Sequence, residues 1–263
     1  LQYGINSAGR PSIEQVSDML NNAKVGGVLI LDTSSAYGNA EEILGDVKAG
    51  ESFKIVSKYP KCDNTVAETF NNSLKVLGID CLYGYLLHHF EAYRENKPVW
   101  NDFVQLQKEG KVDRIGFSLY EPWELDQILK DGIPFSLIQV PYNIFDRQFE
   151  PYFKQLKEMG VEIHVRSTFL QGLFFKDRET LPEKLQPLKK YLIQLDEYAA
   201  SKGISVGDLA LNYNLYNPYI DGVLIGVDNK EQLLQNFASV KDIEINLDIK
   251  VEELELLKPV NWQ

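Results

Sequence analysis

The sequence predicts an α/β fold, a (β/α)8 TIM barrel whose first strand is short or missing. Three observations point there. The chain has 263 residues, close to the roughly 250 of one such barrel. Short apolar runs alternate with amphipathic helical stretches, a βα unit recurring about every 30 residues. Asp32, Tyr37, Lys58 and His88, all able to do chemistry, stand at or just past the ends of three successive apolar runs. A parallel barrel gathers such strand ends into one pocket. With no linker rich in Pro, Gly or Ser and no break in composition, residues 1–263 are expected to form a single domain.

In chain order, only Leu1-Gln2-Tyr3-Gly4 precedes the first helix, too little for a convincing full strand. A helix is expected over Ser12–Val25, where Pro11-Ser12 opens a run with Val16, Met19, Leu20 and Ala23 on one face. Strands follow at 27–32 and 53–58, separated by a helix over Ala40–Lys48. A helix over Val66–Leu77 leads to a strand at 82–88, and one over Val99–Glu109 to Arg114–Ser118. Helices over Pro122–Lys130 and Pro151–Met159 alternate with strands Leu137–Val140 and Glu162–Ser167. Leu188–Ser201 and Val206–Tyr213 read as helices before a strand at Gly222–Ile225 and a last helix over Lys230–Ser239. Gly78, Gly110, Gly160 and Gly203 mark helix ends. Seven strands leave an eight-stranded barrel one short, so exposed strand edges need a cover.

Composition narrows the function. Apolar residues make up 44 % of the chain, enough for a sizeable core, and no apolar run approaches a membrane span. The formal charge of −11 argues against a nucleic-acid binder, though not against a local basic pocket. Cys62 and Cys81 form neither a metal nor a redox spacing, and a reduced, cytoplasmic setting without a signal peptide is the expectation. His88 and His89 are adjacent and only His164 remains, so no histidine metal site is expected.

The four residues suit proton transfer to an oxygen. A free phenol, with a pKa near 10, is a poor acid at neutral pH, and a neighbouring ammonium lowers that value. Lys58 can supply the ammonium and Asp32 can keep it charged. His88 can hydrogen-bond the substrate oxygen. Taken singly, each has an ordinary role: a helix cap, a turn, a solvated charge, a satisfied core histidine. Their joint occurrence at three successive strand ends is what favours chemistry. Such a set would polarise a carbonyl and protonate the alkoxide made by hydride attack. Side chains supply no hydride, so a nicotinamide or flavin is required.

At this point the chain resembles the aldo-keto reductases. The segment Asp32-Thr33-Ser34-Ser35-Ala36-Tyr37-Gly38-Asn39-Ala40-Glu41 is similar to the family's Asp-Thr-Ala-x-x-Tyr-Gly-x-x-Glu. Val56-Ser57-Lys58 and Leu86-Leu87-His88 are similar to its lysine and histidine strands. Ile115-Gly116-Phe117-Ser118, Ile138-Gln139, Arg166 to Leu173, and Leu224-Ile225-Gly226 with Gln232 to Asn236 fall in the family's order. The resemblance implies Tyr37 as general acid, tuned by Lys58 and Asp32, with His88 orienting the carbonyl. His89 would point to the other side of its strand.

The resemblance also implies NADP(H), with NAD(H) as the other option, lying across the carboxyl ends of the strands. Ser118 and Gln139 would contact the carboxamide. Ser167, Phe169 and Leu170 would lie near the pyrophosphate, and Gly226, Gln232 and Asn236 near the adenosine. The partner is a small carbonyl compound. Tyr3-Gly4-Ile5-Asn6 with Arg166-Ser167-x-Phe169-Leu170-Gln171-Gly172 looks most like a bacterial branch often associated with sugar and polysaccharide biosynthesis.

Three departures stand out. Ser118-Leu119 replaces a common Ser-Asn, Arg166 stands where many members place an aromatic under the nicotinamide, and Asp228 with Lys230 replaces a more basic adenosine-phosphate region. Tyr3, Tyr59, Phe90, Trp123, Tyr142, Phe145 and Phe174 are aromatic candidates for the pocket wall, and Pro259–Trp262 a segment that could pack on the barrel or cover its mouth. The competing reading is a non-catalytic nicotinamide-binding or protein-interaction subunit on the same barrel. Oligomeric state is left open.

Overall fold

A computed structural model describes residues 11–262. The strands are β1 Ile30–Asp32, β2 Lys54–Tyr59, β3 Leu82–Leu87, β4 Val112–Ser118, β5 Leu137–Pro141, β6 Glu162–Arg166 and β7 Gly222–Val223. All pair in parallel and in chain order, β1 through β7. The helices are α1 Ile13–Val25, α2 Ala40–Asp46, α3 Val66–Leu77, α4 Phe90–Glu95, α5 Val99–Lys108, α6 Pro122–Asp131, α7 Phe153–Glu158, α8 Lys189–Ser201, α9 Val206–Leu215 and α10 Lys230–Ala238. The expected first strand at Leu1–Gly4, and Tyr3 with it, lie outside the described residues.

The sheet curls into a barrel. In a flat sheet β1 and β5 would be four strand spacings, about 19 Å, apart. Instead Gln139 on β5 donates from Nε2 to Asp32 Oδ1 on β1 at 2.7 Å. Among the described residues no pairing joins β7 to β1, and both edge strands are only half-buried, whereas β2 to β5 are largely buried. The seam is where the sequence located the missing strand. On the outside, helices close it. α10 packs against α1, with the Phe237 ring so near Gly26 that a Cβ there would sit 2.3 Å from ring carbons. Lys230 of α10 also pairs with Asp18 of α1 at 3.1 Å.

Local signals set the helix ends. Ser12 with Gln15, Thr65 with Glu68 and Ser205 with Asp208 form reciprocal capping boxes at α1, α3 and α9. The four glycines read as helix stops have φ between 66° and 75°, the left-handed region that costs glycine least. The barrel interior is tight. At Gly116 a Cβ would lie 1.6 Å from the Leu137 carbonyl oxygen, so only glycine lets β4 and β5 meet there.

Two larger apolar clusters support the barrel. One lies between strands and helices around Phe70, Tyr85, Phe103 and Phe117. The other packs the long segment after β6 with α8, α9 and the carboxyl-terminal residues Ile249, Val251 and Leu257. At the amino ends of the strands, Glu162 accepts from Tyr83 (2.6 Å), sits 2.8 Å from His164 Nε2 and lies 3.4 Å from Arg114 Nε. Burial opposes its charge, but these donors prevail and take its pKa down to about 2. No helix among the described residues is long and apolar enough to cross a membrane.

Candidate active site

The carboxyl ends of β1, β2 and β3 bring the four expected residues together. Lys58 is fully buried, and its Nζ donates to Asp32 Oδ2 at 2.5 Å and to the Thr33 carbonyl at 2.9 Å. Burial pushes the Lys58 pKa down and the nearby Arg166 charge adds to this, while Asp32 works against both. The Lys58 Nζ lies 5.1 Å from the centre of the Tyr37 ring. The Tyr37 ring meets the His88 ring edge-on at 5.5 Å, and Tyr37 remains 37 % exposed. A buried lysine–aspartate pair thus sits beneath an accessible phenol, with an imidazole at its side.

His88 is held neutral. Burial first, then the charges of Lys58, His89 and Arg166, push its pKa down to about 3. Its Nδ1 lies 3.2 Å from Ser34 Oγ, and Ser34 Oγ accepts the Ala36 N–H at 3.2 Å. With one lone pair taken, the Ser34 hydroxyl proton is free to go to Nδ1. When Ser34 donates in this way, the His88 proton sits on Nε2 and the neutral ring is a donor there. Ser34 stands where the family motif quoted above has alanine, and no local signal in the sequence marks it as a partner of a residue 54 positions away.

His89 departs from expectation. β3 ends at Leu87, so the alternation of sides stops before the two histidines. Their rings stack at 4.5 Å and 15° instead of pointing apart. The His89 ring then stacks on Tyr120 at 5.9 Å and 11°, and the Arg166 guanidinium covers the other end, 4.2 Å from the Tyr120 centroid. A column of four planar groups therefore runs along one side of the mouth.

The residues expected to hold a nicotinamide fall into three groups. Ser118 and Gln139 are neighbours in register, both buried. Gln139 Nε2 is committed to Asp32, which leaves its Oε1 for a ligand. Ser167, Phe169 and Leu170 lie on the loop after β6, where Ser167, Leu170 and Gln171 have φ of 66°, 46° and 50°. Such strain in non-glycine residues marks functional loops, and successive N–H groups in mixed right- and left-handed backbone form anion-binding nests. The Leu170 side chain is core and Phe169 packs on Phe175, so this loop would meet a ligand through backbone. Gly226 is exposed in the loop before α10. Gln232 and Asn236 lie on α10, Gln232 bonding the Asp228 N–H at 2.8 Å. Among the described residues, no hydrogen bond or ion pair joins these three to the Asp32–Lys58 cluster.

Most of the aromatic candidates are not pocket wall. Tyr59, Phe90, Tyr142, Phe145 and Phe174 are buried, and Tyr142 OH lies near Glu150 (3.1 Å) and Tyr213 (3.4 Å). Trp123 stays exposed, edge-on to Phe90. Glu41, the last residue of the quoted motif, faces away from the mouth. Its buried carboxylate accepts from Ser57 on β2 and Ser73 on α3. The carboxyl-terminal segment reaches the rim, where Lys258 pairs with Glu121, next to Tyr120, at 2.8 Å.

Comparison with known proteins bears on the family and the fold. Residues 1–251 match the model of the aldo/keto reductase family. The chain is 27 % identical over 197 residues to a glyoxal reductase of Bacillus subtilis, covering 71 % of this chain and 68 % of the relative. Its fold is similar to the holo form of the aldo-keto reductase AKR11C1 of Bacillus halodurans (TM-score 0.76, 22 % identity, 96 % and 94 % of the two chains). It is also similar to an aldo/keto reductase of Klebsiella pneumoniae in complex with NADP and acetate (TM-score 0.71, 22 % identity, 98 % and 89 % of the two chains). A family match over nearly the whole length, on a curled parallel sheet that gathers its polar residues at the strand ends, places this chain in the aldo/keto reductase family.

Proposed function

We propose that this protein reduces an aldehyde or ketone to an alcohol with NADPH or NADH, and that Tyr37 gives the proton. The observation that carries this reading is the fully buried Lys58, paired with the mostly buried Asp32 at 2.5 Å, with the Tyr37 ring 5.1 Å from the ammonium and 5.5 Å from the His88 ring. The residues present fit a nicotinamide. The strained loop at 167–172 offers backbone N–H groups for a pyrophosphate, and Ser118 with Gln139 Oε1 offers partners for the carboxamide. Gly226, Gln232 and Asn236 are the residues proposed for the adenosine end. When bound, the reduced nicotinamide supplies hydride to the carbonyl carbon.

The chain's own residues do the rest. His88 Nε2–H donates to the carbonyl oxygen and fixes its direction. Being neutral, His88 orients without competing as the acid. Tyr37 O–H protonates that oxygen as it becomes an alkoxide. The Lys58 ammonium stabilises the phenolate left behind, and Asp32 keeps the ammonium charged against burial. A sugar-derived carbonyl or a small aldehyde is the substrate class that the resemblance favours, and the name of the Bacillus subtilis relative, a glyoxal reductase, is consistent with a small dicarbonyl. Both nucleotides belong to the proposal, because Lys230, the cation of the 226–232 stretch, is already paired with Asp18.

The test is titration with NADPH and with NADH, followed by nicotinamide fluorescence, and then a panel of aldehydes and ketones. The reading expects binding of at least one nucleotide and oxidation of it by some panel members. Tight binding with no turnover of any carbonyl would favour the non-catalytic subunit, and no binding of either nucleotide would overturn both.

A further inference from the structure

α9 is buried on most sides, through Leu209, Ala210, Leu211, Asn212 and Asn214 among others. Asparagine is a poor helix former, and burying one is costly unless its amide is bonded. Both asparagines are 0 % exposed. Asn212 spends every polar atom on packing: Nδ2 donates to the Asp208 and Ser239 carbonyls at 2.7 Å each, and Oδ1 accepts the Lys241 N–H at 2.9 Å. Asn214 does not. Its Nδ2 donates to the Tyr142 carbonyl and to Thr168 Oγ1, both at 3.1 Å, and its buried Oδ1 has no partner among the described residues. Leucine would fill that place in a helix core without stranding an oxygen. The amide is there for what it holds.

It holds the first turn of the strained loop after β6. Tyr142 follows β5 and Thr168 follows β6, so one amide ties the ends of two neighbouring strands. The corner is gripped at successive residues. The Tyr142 N–H donates to the Arg166 carbonyl at 3.0 Å, Asn143 Nδ2 to the Ser167 carbonyl at 3.1 Å, and Asn214 Nδ2 to the Thr168 hydroxyl. Ser167, Leu170 and Gln171 have φ of 66°, 46° and 50°, and such backbone persists only where its surroundings fix it. Within this turn the N–H groups of Thr168 and Phe169 have no acceptor among the described residues. Adjacent free donors on a backbone of mixed hand make an anion-binding edge. Asn214 does not touch a ligand there itself, because it is fully buried and reaches the loop through Thr168, whose exposure is 2 %.

We infer that Asn214 is a positioning residue for the phosphates of the dinucleotide: acting through Thr168, its amide holds the 167–172 backbone in the shape whose N–H groups receive a diphosphate. The inference rests on the carbonyl-reductase reading of the same site. Such a residue acts before the ligand arrives. A loop that is already shaped need not be ordered on binding, and the difference appears as affinity. Asn214 and Thr168 work as one unit, since losing either end of their bond frees the same corner.

Asn214→Leu removes the amide and nearly keeps the volume, and Thr168→Val removes only the hydroxyl that accepts from it. Each is expected to raise the Kd of NADPH or NADH, whichever the wild type binds, by about tenfold in a fluorescence titration. The double variant should bind about as weakly as Asn214→Leu alone, because the shared bond is lost only once. Without nucleotide, hydrogen exchange of the 168–172 amides should quicken by about tenfold or more in Asn214→Leu, while the amides of β2 to β5 keep their protection. A merely structural role would lower protection everywhere and leave the Kd of the folded protein alone. A Kd within about twofold of wild type in both single variants, losses that multiply in the double, or unchanged exchange in the loop would overturn the inference. So would a fall in rate at saturating nucleotide larger than the loss of affinity, which would put the amide's effect on the reacting groups. If Asn214→Leu does not fold, Thr168→Val decides by the same titration and exchange. A wild type that binds neither nucleotide sinks the reductase reading and this inference together, whereas variants that bind as well as a binding wild type sink this inference alone.

Discussion

Exchanging Asp32 for Asn removes the charge that holds Lys58 and leaves its shape nearly intact. Lys58 is fully buried and its partner's side chain is 15 % exposed, with 2.5 Å between Nζ and Oδ2. At an effective dielectric of about 20, unit charges at that distance attract by roughly 6–7 kcal/mol, offset in part by the desolvation of both. Removing one member of a buried pair typically costs about 3–5 kcal/mol, because the other charge is stranded. Asp32→Asn should therefore lower stability by about that much at pH 7. Lys58→Met should cost less, about 1–3 kcal/mol, because Asp32 is partly solvated and keeps its hydrogen bond from Gln139. The double variant strands no charge. Its loss should fall below the sum of the singles by about 2 kcal/mol or more. Urea unfolding of the four proteins gives the cycle. Additive losses would refute the argument, because they would mean that the two side chains do not sustain one another's charge. All three variants should lose carbonyl reduction.

Other expectations follow from the same geometry. His88, with its pKa pushed from the usual 6.5 down to about 3, should show no titration near pH 6.5 in the rate profile. Because the unfolded chain takes up that proton first, His88 lowers stability progressively as pH falls from about 6.5 to about 3, by up to about 5 kcal/mol in total, and costs nothing above that window. Acid unfolding of His88→Gln should be correspondingly less steep; an unchanged acid midpoint would contradict the burial argument. Ser34→Ala should release the His88 tautomer, seen as a change in the ¹⁵N shifts of Nδ1 and Nε2, with kcat down by about tenfold and nucleotide affinity intact; unchanged shifts would mean that Ser34 does not set the tautomer. Glu41→Ala strands the buried hydroxyls of Ser57 and Ser73 and should cost about 2–4 kcal/mol in urea unfolding, with the rate per folded molecule preserved. A specific loss of rate there would move Glu41 into the reaction.

Much of this was legible before the coordinates because parallel strands end where chemistry is done. The apolar runs ending at Asp32, Lys58 and His88, and the glycine stops at 78, 110, 160 and 203, are local signals, and local signals set strand ends and helix ends. What escaped depends on contacts between distant positions. α4 is only six residues long, directly after the two histidines, with no capping residue to announce it. His89 was misplaced because strand alternation was carried past Leu87, where β3 stops. Whether Tyr142 or Phe145 lines a pocket or fills a core depends on which face packs, and the deciding partners, Tyr213 and Phe174, lie far along the chain. Arg166 stood out as unusual for its position, but its stacking on Tyr120 is visible only in three dimensions.

Tyr37→Phe tests the account most directly. The change deletes one hydroxyl and keeps the ring that lies against His88 and Lys58. With the proton donor gone, the rate of carbonyl reduction should fall by about 10²–10⁴, while the Kd for the reduced nicotinamide, read by fluorescence, stays within about twofold. Retention of the wild-type rate, or a parallel collapse of nucleotide binding, would contradict the assignment of Tyr37 as the acid.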